Sequence, residues 1–417
     1  MNGPVNATSY RPAASAWAGV IRQSGRKTSR PRWHASCLCC GGGLVAALDK
    51  DGTAIDKELT APRPMNGGWK TAGQDLGALI STPGLDACAK RDPALLAPLL
   101  RALDEAAAYA WAAGTPAGDA CLDEARLFCH RALYQLNRLR LYWFDSPAAY
   151  VNERSRVLLD LQDRIEEPWQ AWLDARVAVG DDALAAPLDT LRAWVARDLE
   201  AADTPEYRFF AQDIDLEGYK RLLQIGSLNG LVEASQLSRT LGGYAGGVQC
   251  MLTRILFEEY GGGRPQRKHS TFFAAMLEEI GLSATPEAYL DTVPWEVLAA
   301  INHAFYLAEN KRFFVRFCGA FTYTEVSTPV SFRGYAAAAR RLGLSDGERD
   351  YWSLHIREDE RHGRWMVDEV AAPLLERFPA QRGDFLAGYA QQRIVEGDAA
   401  AATLQACRDA TLREAAA

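Results

Sequence analysis

The chain has 417 residues, 48% of them hydrophobic and 24% charged, which is the make-up of a folded protein of two or three domains. Its 46 basic and 53 acidic residues leave a net charge of −7, and its nine cysteines are odd in number and scattered. The acidic balance speaks against nucleic acid as a partner, and the cysteine usage against a disulfide scaffold and for a reducing cytoplasm. No run of about 18 apolar residues passes without charge, so no membrane span is expected.

Residues 1–70 show neither helical nor strand periodicity and are rich in Gly, Pro, Ser, Arg and Ala. The first 48 hold six basic residues and no acidic one, so the remaining chain carries 40 basic and 53 acidic residues. This segment reads as a disordered tail or a start placed too early, with a transit peptide as the alternative. Cys37, Cys39 and Cys40 with His34 match no zinc-module spacing and lack a second ligand pair.

From residue 71 to 204 the pattern is helical. Leu95, Leu96, Leu99, Leu100 and Leu103 recur at three- and four-residue steps. Leu133, Leu136 and Leu139 do the same, as do Leu158, Leu161, Ile165 and Trp169. His130 is the only histidine here and reads as a core residue. The apolar Leu and Trp faces call for a partner, so this unit is expected to contribute to a homodimer.

A second helical unit is expected over 205–385, followed by a C-terminal helix or tail over 386–417. Helices are expected at 211–241, 244–260, 268–281, 292–320, 329–342 and 346–378, the last opened by the capping sequence Ser345-Asp-Gly-Glu348. No strand-like alternation persists anywhere, so the fold class is all-α.

The chemistry concentrates in this unit. In His355-Ile-Arg-Glu-Asp359-Glu-Arg-His362, the two histidines and Asp359 lie at about 0°, −20° and 40° around a helix. Two imidazoles and a carboxylate on one face suit iron, manganese or zinc, although a solvated charged helix would also read this way. Glu360 points away, and Glu358 sits at the edge of the stripe. Glu258-Glu259 closes one helix and His269 opens the next after a glycine loop, so Glu259 and His269 can face each other. Glu325 lies in an apolar and hydroxyl-bearing run, where a carboxylate is costly to bury without a cation. Glu233 is a lone acid in a small, apolar stretch expected to be helical. Four carboxylates would balance the charge of two Fe(II) ions. The Glu-x-x-His repeats of ferritin-like proteins are absent.

This order of residues resembles the haem-oxygenase-like di-iron oxidases and oxygenases, over about residues 205–380. It resembles most the N-oxygenating members, including the extra carboxylate, here Glu233, that marks them. The resemblance implies a haem-oxygenase-like helical bundle with two non-haem Fe(II) ions held by Glu233, Glu259, His269, Glu325, His355, Asp359 and His362. Glu233, Glu259 and Glu325 would also serve catalysis. It implies O2 as co-substrate, an external electron donor, and a guanidine- or amine-bearing small molecule, arginine-like or an aminoimidazole, as substrate. The alternative within the family is cleavage of C–C bonds or desaturation of an amino or fatty acid. The cupin domain that follows in nitrosourea-forming relatives has no counterpart up to residue 417, so N-oxygenation without the later rearrangement is expected. Phe305, Tyr306, Phe321 and Tyr323 are expected to wall the substrate pocket and Arg316 or Lys311 to hold a carboxylate. No histidine occurs in residues 205–232, which argues against haem.

Overall fold

The computed structural model describes residues 68–112, 119–142, 146–200, 204–243 and 246–415. The N-terminal tail and its cysteine cluster, and the side chain of Glu348, lie outside the described part. Helices make up most of the described chain, and no strand occurs among the described residues.

The first helices are α1 (Gly68–Ile80), α2 (Leu85–Arg91), α3 (Ala97–Ala110), α4 (Ala120–Asn137), α5 (Arg156–Asp174), α6 (Asp181–Ala185) and α7 (Pro187–Leu199). Their starts follow local chemistry. Asp119 and Ser155 accept backbone N–H bonds as N-caps of α4 and α5, and Pro187 occupies the first turn of α7, where no N–H partner is needed. The leucine ladder works as its spacing implies. Leu96, Leu99 and Leu103 are buried with Leu133, Leu136, Leu161, Ile165 and Trp169 in one apolar cluster, while Leu95 faces out. His130 is fully enclosed, with its ring edge-on to Trp169 and stacked near Trp295.

The second group comprises α8 (Pro205–Arg208), α9 (Leu216–Gly230), α10 (Gly247–Glu259), α11 (His269–Glu279), α12 (Trp295–Glu309), α13 (Phe314–Arg341), α14 (Asp346–Trp365), α15 (Ala372–Arg377) and α16 (Arg382–Ala415). The bundle is organised around α13, which packs on both α14 and α16, while α16 also lies against α9 and α12. The C-terminal segment is therefore a wall of the bundle. The two helical groups share buried contacts. Tyr134 of α4 packs with Leu228, Leu298 and Phe305, and Asn137 joins Asn302 of α12 to Gln162 of α5 through bonds of 3.0 Å each.

Helix boundaries differ from the sequence reading at several places, among them the expected helix 292–320, which ends as α12 at Glu309, turns at the extended Asn310 and resumes as α13 at Phe314. The expected helix 211–241 stops at Gly230, where the Phe273 ring packs so closely that an added Cβ would sit 2.7 Å from it. The chain then turns through Ala234, whose φ of 58° is left-handed and costly for a residue with a Cβ. The expected break before Pro329 does not occur, and α13 runs through it. Pro329 cannot donate to the Glu325 carbonyl, and Gly363 of α14 packs there instead, where an added Cβ would lie 3.3 Å from that oxygen. The expected helix 346–378 is interrupted by a π-helical turn at Met366–Ala371.

At the α13–α16 crossing the two backbones touch. A Cβ at Gly319 would fall 1.9 Å from the Phe385 carbonyl oxygen, and one at Gly388 would fall 2.0 Å from that of Arg316. Only paired glycines permit this approach.

Candidate metal centre

Four helices and one turn bring charged side chains into the middle of this bundle. Helix α10 ends at Glu259, and three successive glycines with positive φ, Gly261 to Gly263, fold the loop back so that α11 begins at His269. A Cβ on Gly261 would lie 2.4 Å from the Arg267 backbone, so the loop closes on itself there. The outcome is a 2.7 Å approach between His269 Nδ1 and Glu259 Oε2. Helix α14 presents His355, Asp359 and His362 on one buried face, as the spacing implies. Glu325 arrives from α13, and Glu233 from the turn after α9 rather than from a helix.

Among the described residues the potential ligand atoms form three groups, two of which meet at Glu259, while the third comprises Glu258, Glu358 and His362. In the first, Glu233, Glu259, His269 and His355 each offer an atom within 4.8 Å of the others. In the second, Glu259, Asp359 and His362 do the same. Glu325 adjoins the second group, with its Oε2 3.3 Å from His362 Nδ1. Glu259 belongs to the first two groups and so stands between two adjacent cation positions. The structure brings together all seven residues singled out in the sequence.

The hydrogen bonding fits metal ligands better than a self-contained polar network. His362 Nδ1 is buried and makes no hydrogen bond, although oxygens of Glu325, Glu259 and Asp359 lie 3.3, 3.5 and 3.6 Å away. Glu233 Oε2 is likewise buried without a partner. Orphaned buried acceptors of this kind are rare unless something else occupies their lone pairs. The opposite nitrogens are tied down. His355 Nδ1–H donates to the Tyr351 carbonyl at 2.9 Å, so Nε2 points inward, 2.9 Å from Glu233 Oε1 and 3.1 Å from His269 Nδ1. His362 Nε2–H donates to Glu258 at 2.9 Å, which directs Nδ1 inward. Fixing the tautomer through the distal nitrogen is how proteins orient ligating imidazoles. Four carboxylates, Glu233, Glu259, Glu325 and Asp359, match the charge of two divalent ions.

Without cations the same groups perturb one another strongly. Burial disfavours imidazolium at His355, but the facing Glu233 carboxylate overrides it and raises the group to about 10. At His362 burial is likewise outweighed, chiefly by Glu325, and the group rises to about 11. Burial followed by its acidic neighbours pushes Asp359 and Glu325 above the usual carboxylate range. At Glu233 burial is outweighed by His355 and His269, and the carboxyl is held low.

Two cavities reach the centre. One of about 330 Å³ is lined by Glu233, Glu259, Glu325, His355 and Asp359, together with aromatic rings and hydroxyls. Another of about 470 Å³ meets Glu325 and Asp359 from the Pro329 and Gly363 side. Of the expected pocket residues, Phe321 lines the first cavity. The structure places Tyr306, Tyr323 and Arg316 elsewhere. Arg316 pairs with Asp174 and Asp384 at 2.9 and 2.7 Å, Tyr306 packs on Phe313, and Tyr323 packs edge-on to Tyr389. Helical phase explains the last case, since Tyr323 is two residues from both Phe321 and Glu325 and projects about 200° away from each. Glu360 points outward to Arg333, and Glu358 forms an ion pair with Arg361.

Three contributors escaped the sequence reading: Glu258 behind His362, Tyr351 with its hydroxyl 2.9 Å from Glu233, and Glu396 in the cavity wall. The Glu258-Glu259 pair was the only hint of the first; the other two carry no local signature.

Residues 220–394, under half of the chain, match the sequence model of the haem-oxygenase-like family described as "Iron-containing redox enzyme". The chain is also 33% identical over 146 residues to the nitrosourea synthase of Streptomyces achromogenes subsp. streptozoticus. That match covers 35% of this chain and 31% of the relative, so less than a third of the relative's length is represented. Among the described residues, no helix is long and apolar enough to cross a membrane.

Proposed function

We propose that this chain is a non-haem di-iron, O2-dependent N-oxygenase acting on a guanidine- or amine-bearing small molecule in specialised-metabolite biosynthesis. The observation that carries the reading is the double group of ligands sharing Glu259, with Glu233 supplying a fourth carboxylate. Glu233, Glu259, His269 and His355 would hold one iron, and Glu259, Glu325, Asp359 and His362 the other. The irons would supply the electrons and coordination sites with which O2 is activated.

The chain's own residues then have defined tasks. Glu258 and the Tyr351 carbonyl hold the proton on the distal nitrogens of His362 and His355, so the proximal nitrogens remain unprotonated ligands. Tyr351 donates its hydroxyl to Glu233 and fixes the carboxylate that the first cavity exposes. Phe273, Phe332 and Trp352 line the same cavity and exclude bulk water. An amine gaining one oxygen as a hydroxylamine consumes O2, two electrons and two protons and yields one water, so an external electron donor is required. The N-terminal helical unit, which exposes Tyr142, Val151 and Leu159, is proposed as the surface of a homodimer.

The test is anaerobic loading with Fe(II), then exposure to O2 and a reductant with a panel of amines and guanidines, read by mass spectrometry. N-oxygenation adds oxygen to an intact substrate. Fragmentation or loss of two hydrogens would overturn it in favour of C–C cleavage or desaturation.

A further inference from the structure

The cavity of about 330 Å³ holds one acid that is not a ligand candidate. Glu396 of α16 lines it opposite the Glu325 side of α13. Its Oε1 accepts from Thr324 Oγ1 at 2.5 Å and from Gln392 Nε2 at 2.8 Å, and its Oε2 accepts from Ser327 Oγ at 3.0 Å. A carboxylate offers about four acceptor positions, so capacity remains on Oε2. The side chain is enclosed by protein yet retains accessible surface, because the cavity runs past it.

The charge balance makes this acid informative. The four ligand carboxylates are matched by two divalent ions, so Glu396 is surplus. No Lys or Arg occurs among the described residues that line the cavity. Burial pushes the Glu396 carboxyl above its usual range and outweighs the three donors around it, which favour the ionised form that a cationic partner would hold. A buried carboxylate without a cation is costly, and a cationic ligand removes that cost.

We propose that Glu396 is the specificity-determining anchor of this cavity, binding the guanidinium or ammonium end of a monocationic substrate. This rests on the cavity being the substrate site of the function proposed above. The same lining discriminates further: a free carboxylate on the ligand would find no Lys or Arg to pair with there, so cations lacking one are preferred over free amino acids.

The experiment is anaerobic calorimetry on the Fe(II)-loaded full chain with n-propylguanidine, its neutral isostere n-propylurea, and arginine. Propylguanidinium is expected to bind at least about tenfold more tightly than propylurea, and more tightly than arginine. Glu396→Gln should erase the first difference while iron content stays at the wild-type value, and Glu396→Asp should restore part of it. Equal binding of the cation and the urea by wild type, absence of binding by either, or an unchanged preference in Glu396→Gln overturns the proposal. Tighter binding of arginine than of propylguanidine overturns the preference for cations without a carboxylate. Because no O2 is present, the result is independent of the product. Cation preference without N-oxygenation refutes the proposed reaction and leaves the anchor. N-oxygenation with an unaffected Glu396→Gln variant does the reverse.

Discussion

Replacing Gly319 with alanine tests whether the α13–α16 crossing sets the geometry of the centre. The added Cβ would stand 1.9 Å from the Phe385 carbonyl oxygen and 2.9 Å from its carbon, against about 3.4 Å for ordinary contact. Both obstacles are backbone, so no side chain can swing away, and the helices must separate by about 1.5 Å. Overpacking of this kind costs about 3 kcal/mol, which lowers the melting temperature on the order of 5–10 °C. The displacement also reaches the site, because α13 carries Glu325 less than two turns from Gly319, and α16 carries Glu396. A misplacement of about 1 Å can cost roughly a hundredfold in rate. Gly388→Ala closes the same gap from the other helix, with its Cβ 2.0 Å from the Arg316 oxygen. The double variant should therefore lose less than the two single losses combined, since the first substitution already opens the gap. Gly397→Ala is the control: it lies on α16 with nothing within 4 Å of the added Cβ, and should gain up to about 1 kcal/mol from helix propensity. Thermal unfolding with iron content measured on each variant decides the matter. A Gly319→Ala protein that melts with the wild type and keeps its iron would show that the backbones do not meet as described.

Further expectations concern the centre itself. Fe(II) loading should approach two ions per chain, and His355→Ala or Asp359→Ala should reduce it; unchanged iron in both variants would refute the ligand set. Glu258→Ala should weaken iron binding about 10- to 100-fold through loss of the His362 orienting bond, measured by chelator competition, and an unchanged affinity would make Glu258 a surface acid. His355 and His362, raised to about 10 and about 11 in the metal-free protein, are cations at neutral pH. Loading at pH 7 should therefore release at least about two protons per chain, seen with an indicator dye in weak buffer, and affinity should fall as pH falls. Glu233→Ala should abolish N-oxygenation while retaining some iron; full product yield would make Glu233 a structural acid and favour cleavage or desaturation.

Much of the centre was legible in one dimension because its parts obey local rules. His355, Asp359 and His362 share a face because a helix repeats every 3.6 residues, whatever surrounds it. Glu259 and His269 face each other because the glycine loop between them folds back and brings the start of one helix to the end of the other. The all-α class followed from periodicity in the same way, and the leucine ladder marked the buried face of α3 through Leu96, Leu99 and Leu103. The resemblance in residue order added Glu233 and Glu325 to the set, which local pattern alone left open.

What the tertiary structure decided is where local propensity met a neighbour. Position 230 must be glycine because Phe273 of α11 occupies the space beside it, and Glu233 reaches the centre from the turn that follows, next to the left-handed Ala234. Pro329 stays within α13 because Gly363 of a different helix covers the carbonyl it leaves unpaired. Between Glu258 and Glu259, adjacent acids about 100° apart on one helix, only packing assigns one to the ligand groups and the other to the outer nitrogen of His362. Glu396 is the clearest case. It lies 71 residues beyond Glu325 on an alanine-rich helix that has no chemical signature, and it reaches the cavity only because Gly319 and Gly388 let two backbones touch. Periodicity reports which face of a helix is buried; what that face meets depends on contacts between segments distant in sequence, and those are set by the fit of whole surfaces.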